Sequence, residues 1–216
     1  MRFSTLKLSK DDLGKIIDDE DNLHRMVFLE QAIDAAYKID DKINRSFSLN
    51  DCVIALSEFA QETEAIESLE RIPLIIEHIE NIGAKSRAKS SYAIALASFD
   101  KHLQSKNELT EAINLSSKIT DEFEYRDTLF EIIVAFIDSS LLLEDTDLLH
   151  KINEIILSLS KGQQAYIHVY LAVMVPNLDI NEHLRKAIKL AESIEDPISR
   201  SKVFLELSSL VATIWA

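Results

Sequence analysis

Apolar residues recur along the chain at the spacing of one face of an α-helix. In the C-terminal segment, offsets of 3, 4, 7, 10 and 11 from Arg200 select Val203, Phe204, Leu207, Leu210 and Val211. This spacing predicts an amphipathic helix. Directly before it, Asp196 is suited to cap the helix N-terminus and Pro197 to occupy the first helical position. We therefore predict two helices joined by a tight junction at this point.

The same offsets select mostly apolar positions elsewhere, and the five reference residues are Arg45, Arg87, Arg126, Gln164 and Arg200. All five selected positions are apolar after Arg126, and four are apolar after Arg45 and after Gln164. After Arg87 the match is poor. The reference residues follow one another at intervals of 42, 39, 38 and 36 residues. Such a period is typical of a helical-repeat array, in which neighbouring hairpins cover each other's apolar faces.

The chain has few residues that interrupt helices or build turns between strands. Its 216 residues include three Gly and three Pro, and no stretch alternates apolar and polar residues as a strand would. We therefore expect an all-α fold, a right-handed α-α superhelix of about five helical hairpins. One domain is expected over residues 1–216, with N-terminal cap helices at 1–44 and hairpin repeats at 45–216.

Local signals divide this pattern into about eleven predicted helices. An acidic run at 18–21 is expected to separate a short first helix from a second one. Pro73 is expected to kink or divide a helix over 62–82, and Gly83 and Gly162 are expected to end or interrupt helices. The second helix is expected to present one apolar side, made of Val27, Phe28, Ala32, Ala35 and Ile39.

The last junction has the composition of a known helical repeat. Two small residues and one apolar residue, Ala187, Ala191 and Ile194, precede Pro197 at this junction. They look like the second helix and terminal proline of a tetratricopeptide repeat, and the hairpin pattern resembles tetratricopeptide-like α-solenoids over most of the chain. The resemblance implies a superhelical protein-binding module, and it identifies no ligand.

The charge balance argues against two classes of partner. The net charge is −14 at pH 7, whereas nucleic acids and anionic membranes are bound mainly through Lys and Arg. Lys85, Arg87 and Lys89 form one short basic run, for which a solvated helix face is favoured over a phosphate-binding patch. No stretch approaches the roughly 20 apolar residues of a membrane span. We therefore expect no nucleic-acid partner and no membrane partner.

The single cysteine and the first residues of the chain indicate a reducing compartment. Cys52 has no second cysteine for an intramolecular disulfide, and its place on an apolar helix face favours a buried, inert thiol. The N-terminal segment lacks the apolar core that a signal peptide needs. We therefore expect a cytoplasmic protein.

The recurring polar feature of the reference positions is a row of arginines, Arg45, Arg87, Arg126 and Arg200. A cation in the first turn of a helix opposes the helix dipole, so an acidic partner is expected for each. The favoured interpretation is an ion pair with an acid four or five residues earlier. The alternative is a row of free guanidinium groups that binds carboxylates of a partner. Arg87 has no acid at those offsets, so it is the strongest candidate for the second role.

Aromatic and histidine side chains offer a second candidate binding region. Tyr166 and Tyr170, one helical turn apart, are expected to form an aromatic pair near His168, with core packing favoured over a ligand cage. Two Asp-x-x-His pairs, at 21–24 and 147–150, share a helix face as ligands in metal-dependent enzymes do, but capping of helix starts explains both Asp residues. No catalytic residue, metal or cofactor is therefore predicted.

The sequence thus favours a protein-interaction or scaffolding module that has a protein or peptide partner and no catalysis of its own. The alternative is a small helical enzyme with an acid/His site, with or without a metal. A homodimer through the C-terminal helix is a further expectation, because that helix is apolar on more than one side. Its apolar residues are Phe204, Leu205, Leu207, Leu210, Val211, Ile214 and Trp215.

Overall fold

The computed structural model describes residues 10–175 and 178–212, and it describes the side chains of these ranges except at 10–20 and 146–150. Within them the chain forms ten α-helices and one short 3-10 turn, with no strand, so the all-α prediction is confirmed. The helices are α1 (Lys10–Tyr37), α2 (Lys42–Thr63), α3 (Ile66–Glu77), α4 (Ile82–Ser98), α5 (His102–Ser116), α6 (Glu122–Leu142), α7 (Thr146–Ile155), α8 (Lys161–Met174), α9 (Ile180–Glu192) and α10 (Pro197–Ala212), with the 3-10 turn at Ile156–Ser158. Ile214 and Trp215, which were expected to contribute to the C-terminal apolar surface, lie outside the described residues.

Helices pack against neighbours that are one or two places away along the chain. Among the described helix pairs with substantial contact, the even-numbered helices touch in order, α2 with α4, α4 with α6, α6 with α8, and α8 with α10. The odd-numbered helices α3, α5 and α9 each contact the even-numbered helices on both sides, while α1 contacts α2 and α7 contacts α6. This order of contacts is compatible with a row of hairpins. The right-handed superhelical form of such a row remains a prediction.

Three clusters of buried side chains follow the same order. The first cluster joins α1 to α4, the second joins α4 to α8, and the third joins α8 to α10. Helix α4 contributes Ala84, Ala88 and Ala95 to the first cluster. It contributes Ala93 and Ala97 to the second cluster. A helix that is covered on several sides needs small side chains for close approach, and alanine meets that need.

The five junctions that lead into the even-numbered helices use one hydrogen-bond pattern. Shortly after each preceding helix ends, an apolar residue donates its backbone N–H to the carbonyl oxygen three residues earlier, over 2.9–3.2 Å. These residues are Ile39, Ile79, Ile119, Leu159 and Ile194. Their side chains are buried or half-buried, so apolar contact attaches each junction to the core.

One or two residues further along, a polar side chain caps each even-numbered helix. Its oxygen accepts the backbone N–H three residues later over 2.7–3.3 Å, and its carbonyl accepts the N–H four residues later over 2.8–2.9 Å. The capping residues are Asp41, Asn81, Asp121, Ser160 and Asp196, at intervals of 40, 40, 39 and 36 residues. The predicted cap at Asp196 and the predicted first helical position of Pro197 are confirmed.

Three of the remaining junctions contain an acidic residue in the left-handed backbone conformation. Glu64, Asp100 and Glu144, which follow α2, α4 and α6, have φ angles of 56°, 56° and 51°. The next residue after each donates its N–H to the carbonyl five residues earlier, over 2.9–3.2 Å, as in a Schellman motif. Glycine commonly occupies this conformation because a Cβ atom is disfavoured there.

We expect Glu64→Gly and Glu144→Gly each to raise the free energy of unfolding by about 1 kcal/mol, because each removes the steric strain of a left-handed Glu. Urea denaturation followed by far-ultraviolet circular dichroism measures the change. Alanine at the same two positions keeps the Cβ atom and serves as the control. Equal stability of the glycine and alanine variants would contradict this account of the junctions.

Several predicted boundaries near the N-terminus are wrong. Residues 18–21 lie inside a continuous α1, because Asp and Glu each weaken a helix interior by only roughly 0.5 kcal/mol. Pro73 lies inside α3, on its exposed side, so the predicted division of the helix there is wrong, while the alternative of a kink stays a prediction. The predicted apolar side of the second helix is also wrong. Val27 and Phe28 are 44% and 67% exposed, whereas Ile33, on another side of α1, is buried.

Gly83 and Gly162 are the second residues of α4 and α8, so the prediction that they end or interrupt helices is wrong. A Cβ atom at Gly162 would lie 2.9 Å from Cγ2 of Val203 on α10. A Cβ atom at Gly83 would meet the carboxylate of Glu124 on α6. Gly162 therefore allows α10 to approach α8 closely, which is a packing role and not a turn-forming role, whereas the flexible Glu124 side chain could move away from a Cβ atom at Gly83.

Candidate functional site

The four predicted arginines lie in the first two turns of even-numbered helices. Arg45 and Arg200 are the fourth residues of α2 and α10, Arg126 is the fifth of α6, and Arg87 is the sixth of α4. Each step of one residue turns the side-chain direction by about 100° around a helix. The four arginine side chains therefore do not all leave their helices in the same direction relative to the capping residue, although the apolar spacing aligned them in the sequence.

Arg45 connects α2 to the junction before α4. Its guanidinium donates to the carbonyl oxygen of Ile39 over 3.1 Å and to the carboxylate of Glu80 over 2.8 Å. Lys42 also donates to Glu80 over 2.8 Å, and the hydrogen bonds from Lys42 and Arg45 lower the pKa of the Glu80 carboxyl. The predicted partner, an acid four or five residues earlier, is replaced by an acid 35 residues later.

Ser46, the next residue, satisfies backbone groups of the same junction. Its hydroxyl oxygen accepts the N–H groups of Glu80 and Asn81, each over 3.0 Å, and its O–H donates to the carbonyl of Lys42 over 2.8 Å. Ser46 is 0% exposed, so its hydroxyl makes these bonds away from bulk water. Sequence reasoning missed this residue, because one serine in a helix carries no distinguishing signal.

Arg87, which was expected to be the least paired arginine, contacts α6. Its Nε atom lies 3.3 Å from a carboxylate oxygen of Glu131 and 3.3 Å from the hydroxyl oxygen of Thr128. Burial raises the pKa of the Glu131 carboxyl, and the charge of Arg87 acts in the opposite direction. The expectation of a free guanidinium here is wrong, because the acidic partner lies on the next even-numbered helix and outside any local spacing.

Lys89, in the same basic run as Arg87, joins α4 to α5. Its Nζ atom lies 2.6 Å from the carboxylate of Glu108 and 2.8 Å from that of Glu111. Burial acts to lower the pKa of Lys89, but the hydrogen bonds to Glu108 and Glu111 outweigh burial, so the pKa is raised. Two cations of the basic run are thus paired with acids, which supports the preference against a phosphate-binding patch.

Arg126 lies between two open grooves at the N-terminal ends of α6, α8 and α10. The groove between α6 and α8 has a volume of about 570 Å³, and the groove between α8 and α10 has a volume of about 630 Å³. Arg126 and Ser160 line both grooves. Arg126 forms an ion pair with Glu122, four residues earlier, as the sequence predicted. Gln163 of α8 donates to the carboxylate of Asp127 on α6 over 3.1 Å.

The groove between α6 and α8 has more acidic than basic groups. Its carboxylates belong to Asp121, Glu122 and Asp127, and Arg126 is the cation among its lining residues. Phe123, in the first turn of α6, also lines it and is 75% exposed. An exposed aromatic ring beside partly neutralised carboxylates suits a ligand with apolar and cationic groups.

Tyr166 and Tyr170 stack on α8, with ring centroids 6.3 Å apart and ring planes 18° apart. Phe130 of α6 meets Tyr166 edge-on, with centroids 5.2 Å apart. The Tyr170 hydroxyl donates to the carboxylate of Asp138 over 2.6 Å, and burial raises the pKa of both groups. The predicted aromatic pair is therefore present and packs against α6, while its use in binding remains a prediction.

His168, which was expected near this aromatic pair, contacts α9. Its Nδ1 atom lies 3.1 Å from Nδ1 of His183, and the ring centroids are 5.2 Å apart. Burial lowers the pKa of His168 to about 4, helped by the neighbouring His183 and Lys186, and burial also lowers the pKa of His183. A hydrogen bond between the two Nδ1 atoms requires a proton on one of them, and the tautomers decide which ring donates. No sequence motif links these residues, which are 15 positions apart.

The two Asp-x-x-His pairs are only partly within the described side chains. Asp21 and His24 are exposed inside α1, so the predicted capping role of Asp21 is wrong. The side chains of Asp147 and His150 lie outside the described residues. Among the side chains that are described, no group of three or more His, Cys, Asp or Glu is arranged to hold a metal ion. Cys52 is buried, and burial raises the pKa of its thiol.

Comparison with protein-family models, with curated proteins and with solved structures finds no match to this chain. The resemblance to tetratricopeptide-like proteins therefore remains a prediction from the sequence pattern. Among the helices described, none has the length and apolar character needed to cross a membrane.

Proposed function

We propose that the chain is a protein-interaction or scaffolding module, a tetratricopeptide-like superhelix of about five helical hairpins with no catalytic activity of its own. The observation that supports this most is the recurrence of one hydrogen-bonded junction before each of α2, α4, α6, α8 and α10. Recurrence at intervals of 36–40 residues is typical of hairpin repeats that stack and bind partners along the stack.

The distribution of buried side chains supports the same function. The three clusters are arranged in chain order, and α4 and α8 each contribute to two of them. A row built in this way has no single closed core, and it exposes a long surface for its volume. Helical-repeat proteins use such extended surfaces to bind other proteins.

We expect the partner to bind in the groove between α6 and α8. Phe123 offers an exposed aromatic ring there, and Asp121 and Asp127 supply carboxylates beside the paired Glu122 and Arg126. The net charge of −14 attracts cationic partners to the whole chain. We therefore expect a peptide segment that presents apolar and cationic side chains.

The arginine row is the weaker candidate binding site. Arg45, Arg87 and Arg126 already form ion pairs with acids, and Arg200 is the member without an ion pair among the described residues. A partner that binds these three arginines through carboxylates would have to displace an existing ion pair at each one. This reduces the binding free energy gained from each new contact.

Phe123→Ser is expected to lower the affinity for the partner by about tenfold or more, because aromatic residues including Phe are enriched in interface cores and a few such anchors carry most of the binding free energy. The matched control is Leu103→Ser on α5, where the side chain is 73% exposed against 75% for Phe123. Affinity capture from cells of the source organism, quantified by mass spectrometry, compares tagged wild-type protein with both variants.

A partner that is recovered with the wild type and with Leu103→Ser, but not with Phe123→Ser, would support both the function and the groove. Unchanged recovery with Phe123→Ser would contradict the groove assignment. If no protein binds the wild type saturably, the interaction function itself is contradicted.

Self-association through α10 also remains a prediction. Ile198 and Leu205 on this helix are 68% and 67% exposed, whereas Leu207 is buried in the third cluster. Leu205 and Tyr166 line a shallow groove with a volume of about 430 Å³. Two copies that pair these apolar sides would remove them from water, which is the physical basis for the expected homodimer.

A further inference from the structure

His168 on α8 and His183 on α9 point the same ring nitrogen at one another. The two Nδ1 atoms are 3.1 Å apart, and the ring planes are tilted by 56°. At this distance one Nδ1 must carry a proton and the other must accept it. Moving that proton to the opposite nitrogen of its ring frees a lone pair on each of the two Nδ1 atoms.

We propose that His168 and His183 form a bidentate binding site for a divalent transition-metal ion, with Zn²⁺ as the type case. Imidazole nitrogen is a preferred ligand of zinc, nickel and copper. Two nitrogens bound to one tetrahedral zinc ion at about 2.0–2.1 Å lie about 3.3 Å apart, with ring centroids about 5.2 Å apart. The observed separations of 3.1 Å and 5.2 Å need only a small ring movement to match.

The two helices that carry the rings are held together independently of the ring contact. Helices α8 and α9 pack side by side, and the third cluster buries Ala165 and Val169 of α8 against Ala187 and Ala191 of α9. Small residues at this interface bring the two backbones close together. The packing of α8 against α9 thus fixes the backbone separation from which the two rings meet, which lowers the cost of bringing them together on one ion.

The charges around the pair are compatible with a bound cation. Lys186 is the neighbouring positive group, and it forms an ion pair with Glu182 over 2.6 Å. Asp179, whose side chain caps α9, adds a nearby negative charge. Among the described side chains no third ligand joins the two histidines, so water or a group from a ligand would complete the coordination.

Isothermal titration of the tag-free full chain with ZnCl₂ at pH 7 tests the proposal. We expect one Zn²⁺ per chain, with the affinity lowered about tenfold or more in His168→Gln and in His183→Gln, because each variant loses one of two ligands. His102→Gln is the control, since His102 is an exposed histidine on α5. Binding that both variants retain within about twofold of the wild type would overturn the proposal.

A measurement on the wild type keeps the test independent of how well the variants fold. Nuclear magnetic resonance of the imidazole nitrogens should show Zn²⁺ shifting two rings first, those of His168 and His183, with a change from nitrogen–proton to metal-bound character at Nδ1. Equal perturbation of exposed rings such as His24 and His102 would assign the metal to the surface and overturn the site.

Discussion

Replacing Ser46 by Ala is expected to lower the free energy of unfolding by about 2 to 3 kcal/mol. The hydroxyl oxygen accepts the backbone N–H groups of Glu80 and Asn81 at a position that is 0% exposed. Alanine leaves both N–H groups without this acceptor, and both belong to the junction before α4. Equilibrium urea unfolding, with the slope checked for constancy, measures the loss.

Ser57→Ala is the matched control for this experiment. Ser57 lies on the same helix and is also 0% exposed, but its hydroxyl oxygen has no hydrogen-bond partner among the described residues. Removing it should leave stability unchanged or raise it slightly, because an unsatisfied polar atom no longer has to be buried. Equal losses in the two variants would show that the junction bonds of Ser46 do not stabilise the fold.

Phe136→Ala is expected to lower the free energy of unfolding by about 4 kcal/mol, because it leaves a cavity in the second cluster. Phe136 lies on α6 and is 1% exposed. The cluster that joins α1 to α4 does not include this residue, so the loss should be uneven along the chain. Hydrogen exchange followed by mass spectrometry should show faster exchange from α5 to α8 than in α2 and α3.

Leu49→Ala supplies the complementary variant. Leu49 is 0% exposed in the cluster that joins α1 to α4, so its removal should accelerate exchange most in α2 and α3. If both variants accelerate exchange uniformly over all described helices, the chain has one cooperative core. That result would count against the proposed repeat array.

Apolar periodicity was sufficient to predict the helical class and the places of most even-numbered helices. Offsets from Arg126 selected Leu129, Ile133 and Phe136, which are all buried on α6, because a helical period is a local property. The poor match after Arg87 has a physical cause. Helix α4 packs against neighbours on several sides, so small residues of α4 are buried all around it and no single apolar stripe exists.

Helix ends were predicted less well, because packing between helices decides what local signals mean. Gly162 fits a chain break on local grounds, yet it lies in the first turn of α8 where α10 approaches. An acidic residue, Glu64, takes the left-handed position that glycine usually occupies. Neither choice can be read from a short window of sequence, since each depends on a neighbouring helix or on a junction formed by the whole turn.

The candidate site was predictable only where partners lie within one helical turn. The pair of Arg126 with Glu122 follows from a spacing of four residues on α6. The partners of Arg45 and Arg87 are 35 and 44 residues further along the chain, on or next to another helix. Contacts of that kind depend on how helices are placed, and one sequence without its fold does not specify them.

The short range of the helix contacts has a consequence for the synthesis of the chain. Every substantial contact among the described helices joins partners that are no more than two helices apart. A nascent polypeptide can therefore complete each contact soon after the second partner leaves the ribosome, without waiting for a distant segment. We therefore expect folding to proceed during translation, with only the most recently synthesised helices leaving apolar surface uncovered.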